Sequence, residues 1–175
     1  MTNILWFFLS TSLVLLFGFV LPSHQNKKAC KALYYGMGNG DGVLDRRCFR
    51  LQSQLSKAAY AGDVEKIKKL LRNGANADSY AGEYIPPLHG AATNGKTEAA
   101  RLLLENGANI NREYTLNGPP LFAAVYGNHV ETVGLLVSRG AEVNIRRGGD
   151  TALKIARAKG YLKVAALLES AGAKE

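Results

Sequence analysis

Asn39, Asp41, Gly42 and Asp45, within GNGDGVLD at residues 38–45, stand at ligand-like spacing for the middle of a calcium loop. The first ligand position holds Met37, and the twelfth, where a bidentate Glu is needed, holds Cys48. A Gly-rich loop is therefore the better reading than a cation site. His24, His89 and His129 fall in different segments, whereas zinc needs ligands that converge, so no metal is expected. No nucleophile, base and orienting acid form a recognisable constellation, and Ser and Asp stand mostly at turns and caps. The chain is read as a non-enzyme with no cofactor and no small-molecule substrate.

Cys30 and Cys48 are the only cysteines. A pair this close in sequence could close a loop by disulfide if the stretch lies outside the cytoplasm. Two unrelated free thiols are the alternative, since spacing alone does not establish a bridge.

The chain carries 22 Lys and Arg against 14 Asp and Glu, a formal net charge of +8, unevenly placed. Residues 1–26 hold no charged side chain, and residues 27–50 hold six basic ones and two acidic ones. Residues 4–21, ILWFFLSTSLVLLFGFVL, are apolar apart from Ser10, Thr11 and Ser12, with Pro22 following. As a helix they would span about 27 Å at about 1.5 Å per residue, close to the thickness of a bilayer core.

Residues 1–22 thus read as a transmembrane anchor or a signal peptide. The anchor fits the length, with Trp6 near one interface and Lys27, Lys28 and Lys31 beyond the other. A cleaved signal would be cut near Ser23, but no Lys or Arg precedes the apolar run. The expected location is a membrane, through a single N-terminal segment, or, after cleavage, the periplasm or the exterior. The lysines place the following domain in the cytoplasm by the positive-inside rule; a disulfide would require the opposite side. Residues 23–54 read as a linker.

From about Leu55 to Glu175 the chain repeats itself. Gly-Ala pairs fall at Gly74-Ala75, Gly107-Ala108, Gly140-Ala141 and Gly172-Ala173, a near-constant period. A second marker, Gly62, Gly95, Asn128 and Gly160, precedes each pair by one fixed interval. Between markers the apolar residues keep helical spacing, as in Val64, Ile67, Leu70 and Leu71. Before each first marker lies a shorter helix rich in small residues, with Ala58, Ala91, Ala124 and Ala156 allowing close approach. Each copy is read as a helix, a tight turn, a helix and a glycine stop, at about 55–83, 84–116, 117–148 and 149–175. Such short pairs must stack to bury their stripes.

This pattern resembles the ankyrin family, whose period is about 33 and whose signature is Thr-Pro-Leu-His-x-Ala. The resemblance covers about Leu55 to Glu175, and residues 86–111, PPLHGAATNGKTEAARLLLENGANIN, are the nearest copy. Pro86 and Pro119 replace the family's Thr, Phe122 and Lys154 replace its His, and Thr151 alone restores the Thr, so the helix entrances are mixed. The first copy, with Lys66, Lys68, Lys69 and Arg72, suits an N-terminal cap. The resemblance implies an all-α solenoid of helix-turn-helix units with β-turn fingers, preceded here by the N-terminal hydrophobic helix.

It also implies binding through the fingers and the exposed, concave face of the first helices. The candidate partner-binding residues are Tyr60, Tyr80, Tyr84, Arg112, Tyr114, Tyr126, Arg146 and Arg147, because Tyr and Arg dominate interface energies. Lys57, Thr93, Asn94, Ala158 and Lys159 share the same face. Some tyrosines could instead pack on a neighbouring finger. A basic run interleaved with stacking aromatics is missing, so nucleic acid is not an expected partner. The expected function is a protein-binding module, membrane-tethered or exported; the alternatives are an inhibitor or immunity-type protein that neutralises an enzyme or toxin and, from a different class, an enzyme or metal-dependent protein.

Overall fold

Helices this short carry one apolar stripe each and no means of covering it alone, so their placement follows from what they can pack against. The computed structural model describes residues 46–78, 85–114 and 118–175. Among these are α1 (Arg46–Ala61), α2 (Val64–Arg72), α3 (Pro87–Thr93), α4 (Thr97–Glu105), α5 (Pro120–Tyr126), α6 (Val130–Ser138), α7 (Ala152–Ala158) and α8 (Leu162–Ser170). A short hairpin, β1 (Arg146–Arg147) and β2 (Asp150–Thr151), lies between α6 and α7.

The helices form four antiparallel pairs in two layers. A first row is α1, α3, α5 and α7, and a second row is α2, α4, α6 and α8, each helix touching its neighbours along the row. The first row packs on small side chains, and Ala59, Ala91, Ala124 and Ala156 are fully covered. The second row supplies the larger side chains, with Ile67, Leu103, Leu136 and Leu168 at 0 % exposure. All of these belong to one continuous apolar core.

Both sequence markers have a backbone cause. Gly62, Gly95, Asn128 and Gly160 hold φ of 80, 60, 54 and 70°, the left-handed turn between the helices of a pair. At the next position the N–H donates to an alanine carbonyl in every copy: Asp63 to Ala58, Lys96 to Ala91, His129 to Ala124 and Tyr161 to Ala156. In the Gly-Ala pairs the glycine ends the second helix, and the alanine N–H closes a bond to Leu70, Leu103, Leu136 or Leu168, 3.0 Å each time.

The helix entrances are as mixed as their residues. Pro86 and Pro119 give α3 and α5 no side-chain cap, whereas the Thr151 hydroxyl accepts from the Lys154 N–H at 3.2 Å. His89, 3 % exposed, meets Thr93 one turn later, whose hydroxyl donates to the His89 carbonyl at 2.9 Å. Phe122 fills the corresponding place in the next copy at 1 % exposure. Thr97 and Thr132 join neighbouring second-row helices through their hydroxyls at 2.8 Å.

α1 begins at Arg46, well before the expected start of the repeats at Leu55 and inside the stretch read as linker. Its added turns bury Gln52 and Ser53, polar residues that break the apolar stripe in the sequence. The apolar segment 4–21 and the Gly-rich loop at 38–45 lie outside the described residues. No helix among the described residues is long and apolar enough to cross a membrane.

The copies are also tied by a ladder at the roots of the fingers. Asp78, Asn111 and Asn144 stand one repeat period apart, and the Oδ1 of each accepts a backbone N–H of the following copy, from Asn109 (2.9 Å), Glu142 (3.0 Å) and Lys174 (2.7 Å). Asn111 Nδ2 donates to the Glu142 carboxylate as well, at 3.1 Å.

Two substitutions test these layers. Phe122→Ala should lower stability by about 3–5 kcal/mol in a urea titration, because the buried ring leaves a cavity between copies. Asn111→Ala should cost about 1 kcal/mol, the net worth of exposed hydrogen bonds, with the helix content of the folded chain unchanged by circular dichroism.

Candidate partner-binding surface

The fingers project from the ladder, and their basic side chains are engaged within the stack. Arg112 Nε donates to Asp78 Oδ1 at 2.8 Å and its Nη2 to Oδ2 at 2.5 Å, an ion pair with side chains 21 % and 19 % exposed. Arg147 lies 3.6 Å from Glu113 of the preceding finger and along Gly118, where a Cβ would collide with its Cδ. Gly118 has φ +72°, so the arginine stem occupies space that only glycine leaves open. Arg146 is exposed and donates to the carbonyls of Gly149 (3.4 Å) and Glu175 (2.7 Å). Gly148 and Gly149, at φ +56° and +90°, allow the tight turn of this hairpin.

The predicted finger tyrosines divide. Tyr80 and Tyr84 lie outside the described residues. Tyr114 is half-buried, with its N–H donating to the Gly118 carbonyl at 3.1 Å and its ring 5.3 Å from that of His89. That contact is to the first helix of its own copy, not to a neighbouring finger. Among the predicted residues that are described, the most open aromatics are on the first row.

Tyr60 and Tyr126 are 47 % and 53 % exposed. Each lies just before its turn marker, at the same offset, so the two occupy equivalent positions two copies apart. Tyr60 sits at the end of α1, its carbonyl accepting from Asn94 Nδ2 of the next copy at 2.9 Å. His129 repeats that bond one copy on, placing Nε2 2.9 Å from the Thr93 carbonyl. These side chains cover carbonyls that the ends of short helices leave open. The Lys159 ammonium lies 5.7 Å from the Tyr126 ring centre and 5.9 Å from that of Tyr161, within reach of both π faces.

At the other end of the row, a cavity of about 320 Å³ is lined by Ser56, Lys57, Tyr60 and Ile85. Gly90 of α3 lies close by, where a Cβ would be in ordinary contact with Tyr60 and Ile85 at 3.6–3.8 Å. The Ser56 hydroxyl is buried and has no hydrogen-bond partner among the described residues.

Charge is sorted between the layers. The first-row helices carry Arg47, Arg50, Lys57, Lys154 and Arg157 and no carboxylate, whereas every second-row helix carries at least one Glu. At the C-terminal end the basic groups are balanced from outside the row. Lys154 pairs with Asp150 at 2.5 Å, and Arg157 pairs with Glu169 at 2.7 Å and Glu175 at 2.5 Å. The hydrogen bonds to Glu169 and then Glu175 hold the Arg157 guanidinium above its ordinary range. Among the described residues, no three His, Cys, Asp or Glu side chains cluster as a metal site would require.

Cys48 is 7 % exposed on α1 and is disulfide-bonded. Cys30, the one other cysteine of the sequence, lies outside the described residues.

Sequence reasoning picked out the Tyr and Arg residues by type and missed that the finger arginines have carboxylates near the repeat distance. Asp78 precedes Arg112 by one position more than a full period, and Glu113 precedes Arg147 by the same interval, a signal present in the sequence. It also missed Ser56 and Ile85, which have no motif to mark them.

Among curated proteins none matches the chain. The family model for ankyrin repeats (three copies) matches residues 55–147, more than half of the sequence, and α7 and α8 add a fourth helix pair beyond it. With the repeat period, the paired helices and their glycine stops, that match shows that the chain belongs to the ankyrin repeat family.

Proposed function

We propose that this chain is a module that binds a protein partner across the exposed positions of the first row, with the finger loops at the edge of the contact. Ankyrin repeats generally serve protein–protein interaction and are typically non-enzymatic. The observation that carries the assignment to this face is the pair Tyr60 and Tyr126, large aromatic side chains left about half exposed at equivalent positions while the apolar residues around them are covered. Exposed tyrosine supplies area and a polar tip at low cost in conformational freedom, as interface anchors do. The engaged arginines hold the fingers in place at the edge of this contact.

The module is held at, or sent across, a membrane by residues 4–21, whose length suits a bilayer core. The repeats lie on the side away from the cytoplasm in this reading. The disulfide-bonded state of Cys48 supports that side over the one the lysines suggest, because disulfides persist in oxidising compartments.

Two measurements bear on this. In-cell crosslinking of the full chain should trap a protein neighbour, and Tyr60→Ala with Tyr126→Ala should reduce its yield about tenfold, in keeping with anchor energies; an unchanged yield would place the contact elsewhere. For the compartment, chain denatured directly from cells should resist maleimide until a reductant is added, then take the label at both cysteines. Labelling without reductant would put the repeats in the cytoplasm.

A further inference from the structure

The net charge of the chain is concentrated in its first helix pair. Residues 46–72, which are α1 and α2 with the turn between them, hold eight basic side chains and two acidic ones, whereas residues 73–175 hold eleven and ten. The rest of the stack is therefore close to neutral. On α2 the excess lies on the outside: Lys66, Lys69 and Arg72 are exposed, while Ile67 and Leu70 are buried. Steps of three residues keep these cations on one side, within about a third of the helix circumference. Lys68 is matched by Glu65 at 2.8 Å, but among the described residues Lys66, Lys69 and Arg72 have no carboxylate partner. The helix dipole favours Lys69 and Arg72 in the last turn and gives no reason for Lys66 in the first. The other second-row helices do not repeat the pattern: α4 carries one basic residue and two acidic ones, α6 one acidic residue, and α8 one of each.

The first pair is also the one nearest in sequence to the apolar run 4–21. Cys48, in the first turn of α1, is disulfide-bonded, and Cys30 is the one other cysteine of the sequence. With Cys30 as its partner, only residues 22–29 separate the apolar run from the bridge to α1, and such a stretch reaches no more than about 30 Å when fully extended. Because α2 runs antiparallel to α1, Lys69 and Arg72 stand toward the end of the pair that this tether holds. A bilayer with negative headgroups attracts basic groups within about a Debye length, about 10 Å, and each added Lys or Arg strengthens the attraction. The second row lies behind the first, so contact on its outer side leaves Tyr60 and Tyr126 open.

We infer that the exposed side of α2, through Lys66, Lys69 and Arg72, docks on the anionic phospholipid headgroups of the membrane that residues 4–21 enter. The exposed side chains of α2 are all charged, so the contact is electrostatic and does not insert. This rests on the membrane part of the reading above and adds to it which helix meets the lipid and which lipids hold it. The stack is held by its basic end, and the near-neutral copies and the first row are left for the protein partner.

The test reconstitutes the full chain in nanodiscs of phosphatidylcholine, alone or mixed with phosphatidylglycerol, and treats them briefly with an uncharged amine-acetylating ester. Modification is read lysine by lysine by peptide mass spectrometry. Acetylation of Lys66, Lys68 and Lys69 should slow about fivefold in the anionic discs, and raised salt should restore it. Lys163, exposed on α8, should react alike in both. In Lys66→Gln with Lys69→Gln and Arg72→Gln the protection of Lys68 should be lost, with helix content unchanged by circular dichroism. Should that variant lose helix, the native chain in the two kinds of disc decides alone. The inference is overturned by equal reactivity of Lys66 and Lys69 in both discs, by equal protection of Lys163, or by protection of Lys68 that survives in a folded triple variant. It is also overturned by an oligothymidylate that protects these lysines in phosphatidylcholine discs as well as phosphatidylglycerol does, which would indicate nucleic acid. Entry into phosphatidylcholine discs without any effect of the anionic lipid leaves the anchor standing and the docking wrong. Failure to enter them sinks the anchor; phosphatidylglycerol vesicles that still protect Lys66 and Lys69 then support the basic surface, and vesicles that do not overturn it too.

Discussion

The constraint on which everything else depends is that no copy can cover its own core. The two helices of a copy present one apolar stripe each, and closing them on one another leaves both flanks open to water. Stacking is the only way to remove those flanks, at about 25 cal/mol for each Å² of apolar surface withdrawn. The alanines of the first row follow from this, since larger side chains would hold the helices apart and open the second row. The repeated Gly and Asn turns follow too, because each pair must reverse tightly to stay in register with the next.

That same requirement decides which polar groups are free to meet a partner. Hydrogen bonds and ion pairs that join copies take up Asp78, Asn111, Arg112 and Asn144. Groups that need not join copies are found on the outer side of the first row, where Tyr60 and Tyr126 stand. Among the described residues, therefore, the finger arginines serve the architecture, while Tyr60 and Tyr126 stand open on the first row. The arrangement is quasi-one-dimensional, with the principal helix contacts lying within a copy or between neighbouring copies.

Much of the fold was legible because the markers are backbone necessities. A positive φ at a helix end strongly favours Gly or Asn, so Gly62, Gly95, Asn128 and Gly160 announce the turns whatever surrounds them. The length of α1 was hidden because Gln52 and Ser53 interrupt the stripe, and polar burial there depends on neighbours that a linear pattern does not display. The candidate surface was legible by residue type but not by exposure. Tyr60 and Tyr114 look alike in sequence, and only the packing of Tyr114 on His89 separates them. Arg112 and Arg147 have a role that residue type alone does not display: the same guanidinium that anchors interfaces also anchors one copy to the next.

The ladder at the finger roots has a consequence for how such a chain can change length. Each rung joins a side chain of one copy to a backbone N–H of the next, and rungs recur at Asp78, Asn111 and Asn144 at a constant interval. Excising or duplicating a whole interval moves every rung by one full period and leaves donor opposite acceptor. A single insertion inside a copy shifts all later donors away from their acceptors and turns the apolar stripe of the affected helix by about 100°. Copy number is thus a free variable for this architecture, whereas the length of a copy is fixed.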